Sequence, residues 1–197
     1  MIISSIQIHK WLSLIFTGMI VLFLARTELY AQSDTYRDNQ IKSVFIYNLT
    51  NFVSWPENKN FDSQSDFHIC LLGGDPFKKF IDKAVEGESV NNHPIVVKRY
   101  KKLDALNLND CQILYIDRKL FDHLPDIFIL TGEKKILTVG DTPGFAEKGG
   151  MINLAREKRH IKIEVNLDSV KKSGLKLNSK LLQLARIVGM SSFSGDN

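Results

Sequence analysis

Four short runs of mostly apolar residues punctuate the middle of the chain: Phe67–Leu72, Pro94–Arg99, Gln112–Asp117 and Lys135–Val139. The first, third and fourth are nearly continuous in apolar residues, which is typical of parallel strands that are covered on both faces. The stretches between them favour helices: Pro76–Val85, with Asp75 as its cap, and Arg118–Leu130, which Pro125 interrupts. This alternation predicts a mostly parallel α/β sheet.

A first helix is predicted ahead of these strands. Ser33-Asp34 can cap it, and Trp55-Pro56 ends it, because the residue before a proline avoids the α region. Its apolar residues recur at helical spacing, which predicts that one face is buried. That face is formed by Ile41, Val44, Phe45, Leu49 and Phe52.

The C-terminal third has a different pattern. Met151–Ala155 and His160–Leu167 flank a polar turn, and in the second run apolar Ile161, Ile163, Val165 and Leu167 alternate with polar residues. Period-two alternation indicates one buried and one exposed face, so an antiparallel hairpin is expected at a sheet edge. Asp168–Ser173 and Ser179–Val188 are predicted helices. The expected fold is a single three-layer αβα domain with a mostly parallel sheet.

The N-terminus carries a targeting pattern. Lys10 precedes an apolar run from Trp11 to Ala25, which is too short for a confident membrane span, and Ala31 offers a small residue before a cleavage point. We interpret residues 1–31 as a secretory signal peptide and residues 32–197 as the mature domain. The alternative is an uncleaved signal anchor. An exported chain would reach an oxidising compartment such as the periplasm.

Charge adds little to this picture. The chain has 26 basic and 22 acidic side chains, and loss of Lys10, Arg26 and Glu28 with the signal leaves 24 and 21, a balance of +3. Basic residues form two groups, Lys98, Arg99, Lys101, Lys102 and Arg156, Lys158, Arg159, Lys162. Neither has the interleaved aromatic residues of a nucleic-acid site, so no nucleic acid is expected. Three interpretations of the basic groups remain: a solvated face, a contact with an acidic protein partner, or a contact with a phospholipid surface.

A candidate crevice lies at the predicted carboxyl ends of the strands, because Asp75, Asp117 and Asp141 each follow one. Open α/β sheets bind ligands there. The alternatives are helix caps and turns for these aspartates, a Mg²⁺ site, or an uncharacterised binding crevice. The full set of crevice residues is Gly73, Asp75, Phe77, Asp117, Asp141, Phe145, Gly149 and Gly150.

No catalytic constellation is visible. His68, His93, His123 and His160 have no metal-ligand spacing, and neither a G-x-S-x-G elbow nor a phosphate-binding glycine motif occurs. No enzyme activity, metal or cofactor is therefore expected. The two cysteines, Cys70 and Cys111, belong to strands that are neighbours in a doubly wound order. Either a disulfide or two buried thiols fits that placement.

The motifs in this order resemble the YfiR/HmsC-like family of periplasmic proteins. The segments that carry the resemblance are Ile41–Pro56, Phe67–Gly73, Asp75–Phe77, Cys111–Ile116, Ile136–Asp141, Gly144–Ala146, Gly149–Asn153, Ile163–Asn166 and Leu177–Ala185. They cover nearly all of the mature chain. The second cysteine pair that some relatives carry around the Gly-Gly-Met segment is missing here, so redox control through that pair does not transfer.

The resemblance implies a non-enzymatic regulator that forms a homodimer. Such a protein would repress a membrane signalling protein, a diguanylate cyclase, through its periplasmic sensor domain, and would lower cyclic-di-GMP and biofilm output. An OmpA-type outer-membrane lipoprotein would sequester it in turn. The alternatives are a periplasmic small-molecule-binding module and a regulator of another membrane receptor, such as a sensor histidine kinase.

Overall fold

The computed structural model describes residues 16, 19, 35–54, 65–132, 134–158 and 160–189. The chain divides into two compact units, Met1–Asp38 and Asn39–Asn197, and the sheet belongs to the second. Apart from residues 16 and 19, the predicted signal peptide lies outside the described residues. So do the predicted helix boundaries at Ser33-Asp34 and Trp55-Pro56.

The strands of the described chain are, in order, β1 (Val53–Ser54), β2 (Phe67–Leu72), β3 (Ser89–Val90), β4 (His93–Tyr100), β5 (Ile113–Ile116), β6 (Leu137–Gly140), β7 (Ile152–Glu157), β8 (His160–Asn166), β9 (Lys176–Leu177) and β10 (Ala185–Val188). Eight of them form one sheet in the order β10-β8-β7-β6-β5-β2-β4-β3. Strands β4, β2, β5, β6 and β7 are parallel. β1 and β9 form a small antiparallel pair.

Five α-helices accompany these strands within the described part of residues 35–189: α1 (residues 35–52), α2 (Lys79–Val85), α3 (Leu124–Thr131), α4 (Leu167–Lys172) and α5 (Ser179–Leu184). Short 3-10 turns occupy Leu103–Ala105, Leu108–Asp110 and Arg118–His123. Pro125 lies in the first turn of α3, where its missing N–H costs nothing. The predicted helix Arg118–Leu130 is therefore a 3-10 turn followed by a new helix.

Two apolar layers cover the sheet. On one face, Ile69 and Tyr115 pack with Ile46 of α1 and Ile81 of α2. On the other face, Leu72, Leu114 and Ile116 pack with Leu124 and Ile127 of α3. Successive strand residues point to opposite faces, so a fully buried strand needs apolar side chains at every position. The mostly parallel three-layer αβα fold expected from the sequence is confirmed.

The buried face of α1 is predicted correctly only in part, because Leu49 is buried as expected but other positions differ. Val44 is 48% exposed, whereas Lys42, Ser43 and Ile46 are buried. The buried stripe is shifted around the helix because a charged residue, Lys42, points inward and finds a partner there. Apolar spacing alone cannot reveal such a pairing.

The C-terminal prediction is partly wrong as well. β7 and β8 form the expected antiparallel hairpin, from Ile152↔Val165 to Glu157↔His160. The predicted helix over 179–188, however, ends at Leu184, and β10 follows it. β10 pairs in parallel with β8 and extends the sheet one strand beyond the hairpin. Main-chain hydrogen bonds offered by β8 outweigh the local helical preference of these residues.

Candidate functional site

The candidate crevice is at the carboxyl ends of β2, β5 and β6, which lie side by side. The registers Leu72↔Ile116 and Tyr115↔Val139 bring these three strand ends level with one another. Asp117 follows β5 directly, and its N–H donates to Leu72 O at 3.0 Å. The structure therefore places the aspartates at one edge of the sheet, as predicted. The role of each carboxylate there depends on its own hydrogen bonds and ion pairs.

Asp75 closes the turn that precedes α2. Its Oδ1 accepts hydrogen bonds from the N–H groups of Phe77 and Lys78, at 2.9 and 2.8 Å. Its Oδ2 accepts a hydrogen bond from Arg99 Nε at 2.7 Å, and Arg99 also reaches Asp82. The helix itself starts later than predicted, at Lys79. Asp75 is thus an anchor for the turn, with both oxygens already engaged.

Asp117 is buried beside the glycine pair after β2. Its Oδ1 accepts from Lys119 N at 3.0 Å, so it caps the 3-10 turn that follows β5. A Cβ atom added to Gly74 would lie 2.7 Å from Asp117 Oδ2, and one added to Gly73 would lie 3.0 Å from Asp117 Cβ. Only glycine allows the two segments to approach this closely. The structure therefore brings Gly73, Gly74 and Asp117 together.

Asp141 has a partner that the sequence pattern did not predict. Lys42 Nζ of α1 lies 2.7 Å from Asp141 Oδ2, and the two side chains are 6% and 1% exposed. Tyr115 Oη donates to Asp141 Oδ1 at 3.0 Å. Burial first, and then the charge and the hydrogen bond of Asp141, raise the pKa of the Tyr115 phenol above its usual value. The expected turn-forming role of Asp141 is wrong, because its carboxylate binds these two side chains.

The two phenylalanines of the predicted crevice lie on opposite faces of the sheet. Phe77 meets Tyr115 edge-on with ring centroids 4.6 Å apart, on the α1 face. Phe145 meets Phe128 on the α3 face at 5.7 Å. A Cβ atom added to Gly150 would overlap the Phe145 ring. Phe77, Phe145 and Gly150 are buried and serve packing, and they do not line a common cavity.

Gly149 lies in the turn before β7. Its φ of +113° is a conformation that residues with a Cβ rarely adopt, which explains a glycine at this position. Its N–H donates to Ala146 O at 3.1 Å. Within the described residues, no group of three or more His, Cys, Asp or Glu side chains is arranged to hold a metal ion. Ligand binding at the strand ends stays a prediction.

A second polar network crosses the other half of the sheet. Gly140, Asn153, Glu164 and Arg186 stand in register on β6, β7, β8 and β10. Asn153 Nδ2 donates to Glu164 Oε2 at 2.9 Å, and Arg186 Nε donates to Glu164 Oε1 at 3.2 Å. Glu164 was expected on an exposed face but is buried. Its pairing with Asn153 and Arg186 satisfies the charge, which burial otherwise penalises.

The two cysteines form a disulfide. The Cα atoms of Cys70 and Cys111 are 5.8 Å apart, and the bridge ties β2 to the segment that enters β5. Both residues are buried on the α3 face. In the parallel pairing of β2 with β5, Cys70 lies opposite Leu114. Cys111 comes just before the first residue of β5, which places it close enough to Cys70 for the bridge. Of the two possibilities that the sequence left open, the disulfide is confirmed.

The fold and the site define a class of protein. It is an α/β domain in which the aspartates at the carboxyl ends of the strands bind partners within the chain, and in which a disulfide is structural. The model of the YfiR/HmsC-like family matches residues 39–186, and the chain belongs to that family. The family is regulatory and non-catalytic, and its members are periplasmic. Membership is consistent with a regulator of cyclic-di-GMP signalling.

Other comparisons add little. None of the curated proteins matches the chain by sequence. Among solved structures, "the ABC domain in complex with L-Trp from Streptococcus pneumonia" superposes with a TM-score of 0.47 at 10% identity, over 62% of this chain. The match spans 55% of that chain's length. A likeness this distant carries no argument about function. No helix within the described residues is long and apolar enough to cross a membrane.

Proposed function

We propose that this chain is a non-enzymatic periplasmic regulator that binds the periplasmic sensor domain of an inner-membrane diguanylate cyclase. Binding holds the cyclase inactive and lowers cyclic-di-GMP and biofilm output. The observation that carries the proposal is the family match over residues 39–186, which includes nearly the whole α/β domain. In this proposal the chain acts as a homodimer after residues 1–31 are removed, and an OmpA-type outer-membrane lipoprotein sequesters it.

The aspartates at the carboxyl ends of the strands fit a protein that acts by binding. Asp75, Asp117 and Asp141 all have internal partners, so each of them helps to hold the fold together. In this proposal the regulator acts on the cyclase by binding one of the states of the cyclase more tightly. At a free concentration one hundred times Kd, exclusive binding to the inactive state biases the cyclase by about 2.7 kcal/mol, or roughly a hundredfold.

Deletion of the gene tests this proposal. We expect cyclic-di-GMP and attached biomass to rise in the deletion strain, and to return to the starting level when the full chain is supplied. The matched control is the same chain without residues 1–31, which should fail to complement because it is not exported. Unchanged cyclic-di-GMP in the deletion strain would reject the cyclase as the target.

A binding experiment identifies the target directly. The purified sensor domain of a candidate cyclase should co-elute with residues 32–197 in size-exclusion chromatography. Co-elution with the sensor domain of a histidine kinase, and not with that of a cyclase, would assign the protein to a different membrane receptor. A rise in melting temperature with a small metabolite would indicate that a ligand controls either interaction.

A further inference from the structure

Strand β4 has an outer edge that β3 covers only in part. β3 pairs with β4 only at His93 and Pro94. Just beyond, Ile95 N donates outward to Glu88 O at 3.1 Å, whereas Tyr100 O accepts inward from Gly73 N at 2.8 Å. Residues of a strand direct their main-chain groups to its two sides in alternation. The N–H and C=O groups of Val97 and Arg99 therefore point outward, where no described strand pairs with them.

A groove runs along this open edge. It lies between α2 and β4, and its lining includes Lys79, Lys83, Val85, Ile95 and Val97. Val85 and Ile95 are buried and form its apolar floor, and the exposed side chains of Lys79, Asp82, Lys83 and Glu86 form its rim. An added strand lies about 4.8 Å from its neighbour, and every second side chain would point towards such a floor. The edge and the groove together have the shape that an extended segment requires.

The charge around this edge is positive. Arg99 is neutralised by Asp75 and Asp82, and Lys98 is paired with Asp110 at 3.3 Å. Four exposed lysines around the edge form no ion pair within the described chain: Lys79, Lys83, Lys101 and Lys102. Three exposed acidic residues near this edge also form no ion pair within the described chain: Glu86 on the rim of the groove, Glu88 beside Ile95, and Asp104 beyond Lys102. The unpaired groups therefore leave an excess of positive charge beside the open main chain.

We propose that the outer edge of β4, over Ile95–Tyr100, binds an extended acidic segment of a partner protein as an added strand. The main-chain groups of Val97 and Arg99 provide the hydrogen bonds, and the four lysines select for acidic side chains. A second copy of this chain would bring the same positive rim against itself, which is unfavourable. The inference does not depend on which membrane protein is the target.

The test uses residues 32–197 and two labelled, capped peptides of roughly ten residues, long enough to span a strand such as β4. In one peptide Val and Thr alternate with Glu, and in the other Lys replaces Glu. We expect the acidic peptide to bind more tightly by fluorescence anisotropy, and to slow the amide hydrogen exchange of Val97 and Arg99. Val97→Pro should weaken binding about five- to tenfold, because it removes an outward donor.

Two further variants distinguish a loss of peptide binding from a loss of folding. Val96→Pro is the matched control, because the amide of Val96 points towards β2 and its loss should lower the melting temperature much more than Val97→Pro does. Lys101→Glu with Lys102→Glu leaves the main chain unchanged and should reverse the preference between the two peptides. Equal binding of both peptides, equal binding by wild type and Val97→Pro, or no binding near about 1 mM would each overturn the proposal. Amide protection at Val97 that rises with protein concentration alone would assign the edge to a second copy instead.

Discussion

Replacing Lys42 with methionine tests the interaction that joins α1 to the sheet. The ammonium group of Lys42 lies 2.7 Å from Asp141, and both side chains are almost completely buried. Methionine keeps most of the length and apolar volume of lysine, so the substitution removes the charge and leaves little empty space. Among the described residues, Asp141 would then keep only the hydroxyl of Tyr115, at 3.0 Å, as a side-chain partner.

The expected cost follows from the burial of the pair. Removing one partner of a buried ion pair leaves an uncompensated charge, and typical losses are about 3–5 kcal/mol. The hydrogen bond from Tyr115 to the charged carboxylate remains, and a bond of this kind contributes about 1.5–3 kcal/mol. It offsets part of the penalty, so we expect a loss of about 3 kcal/mol, at the lower end of the range. A domain of this kind has roughly 5–15 kcal/mol of stability in total, so the variant should fold but unfold at much lower denaturant.

Equilibrium unfolding in urea, followed by circular dichroism on oxidised residues 32–197, measures this loss. The double variant Lys42→Met/Asp141→Leu removes both charges, and we expect it to be more stable than Lys42→Met alone. The two single variants and the double variant form a double-mutant cycle that isolates the pair. A loss below about 1 kcal/mol for Lys42→Met, or strictly additive changes across the cycle, would refute the buried pair as an anchor of α1.

Three further outcomes are expected. Cys70→Ala/Cys111→Ala should lower the free energy of unfolding by up to about 4 kcal/mol, from the loop entropy at a sequence separation of 41, and urea unfolding against oxidised wild type measures it. Gly150→Ala should cost about 1–3 kcal/mol by pressing on Phe145, and Phe145→Leu should recover part of the loss in melting temperature. The raised pKa of Tyr115 means that the folded state holds the phenolic proton more tightly, so this stabilisation is complete below pH 10.0, the ordinary value, and is lost as pH rises above it. Tyr115→Phe should reduce the fall in unfolding free energy between about pH 9 and pH 11, and an identical fall in both proteins would contradict this.

Much of the framework was predictable from the chain itself. The apolar runs at Phe67–Leu72 and Gln112–Asp117 correspond to β2 and β5, because a strand buried on both faces must be apolar at successive positions. The same alternation of strands and helices implied a parallel sheet, and parallel strands placed Asp75, Asp117 and Asp141 at one edge. The signal-like N-terminus indicated an oxidising compartment, in which the pairing of Cys70 and Cys111 is reasonable.

The tertiary structure decided which partner each polar group has. Lys42 and Asp141 are 99 residues apart, and nothing local to either shows that α1 turns a lysine inward. The sequence of Ala185–Val188 continues a helical pattern, yet this segment forms β10 because it pairs with the edge of β8. Glu164 and Asn153 are buried because Arg186 arrives from that added strand. Local spacing sets periodicity and caps, whereas a buried charge or an edge strand depends on groups that only folding brings within hydrogen-bonding distance.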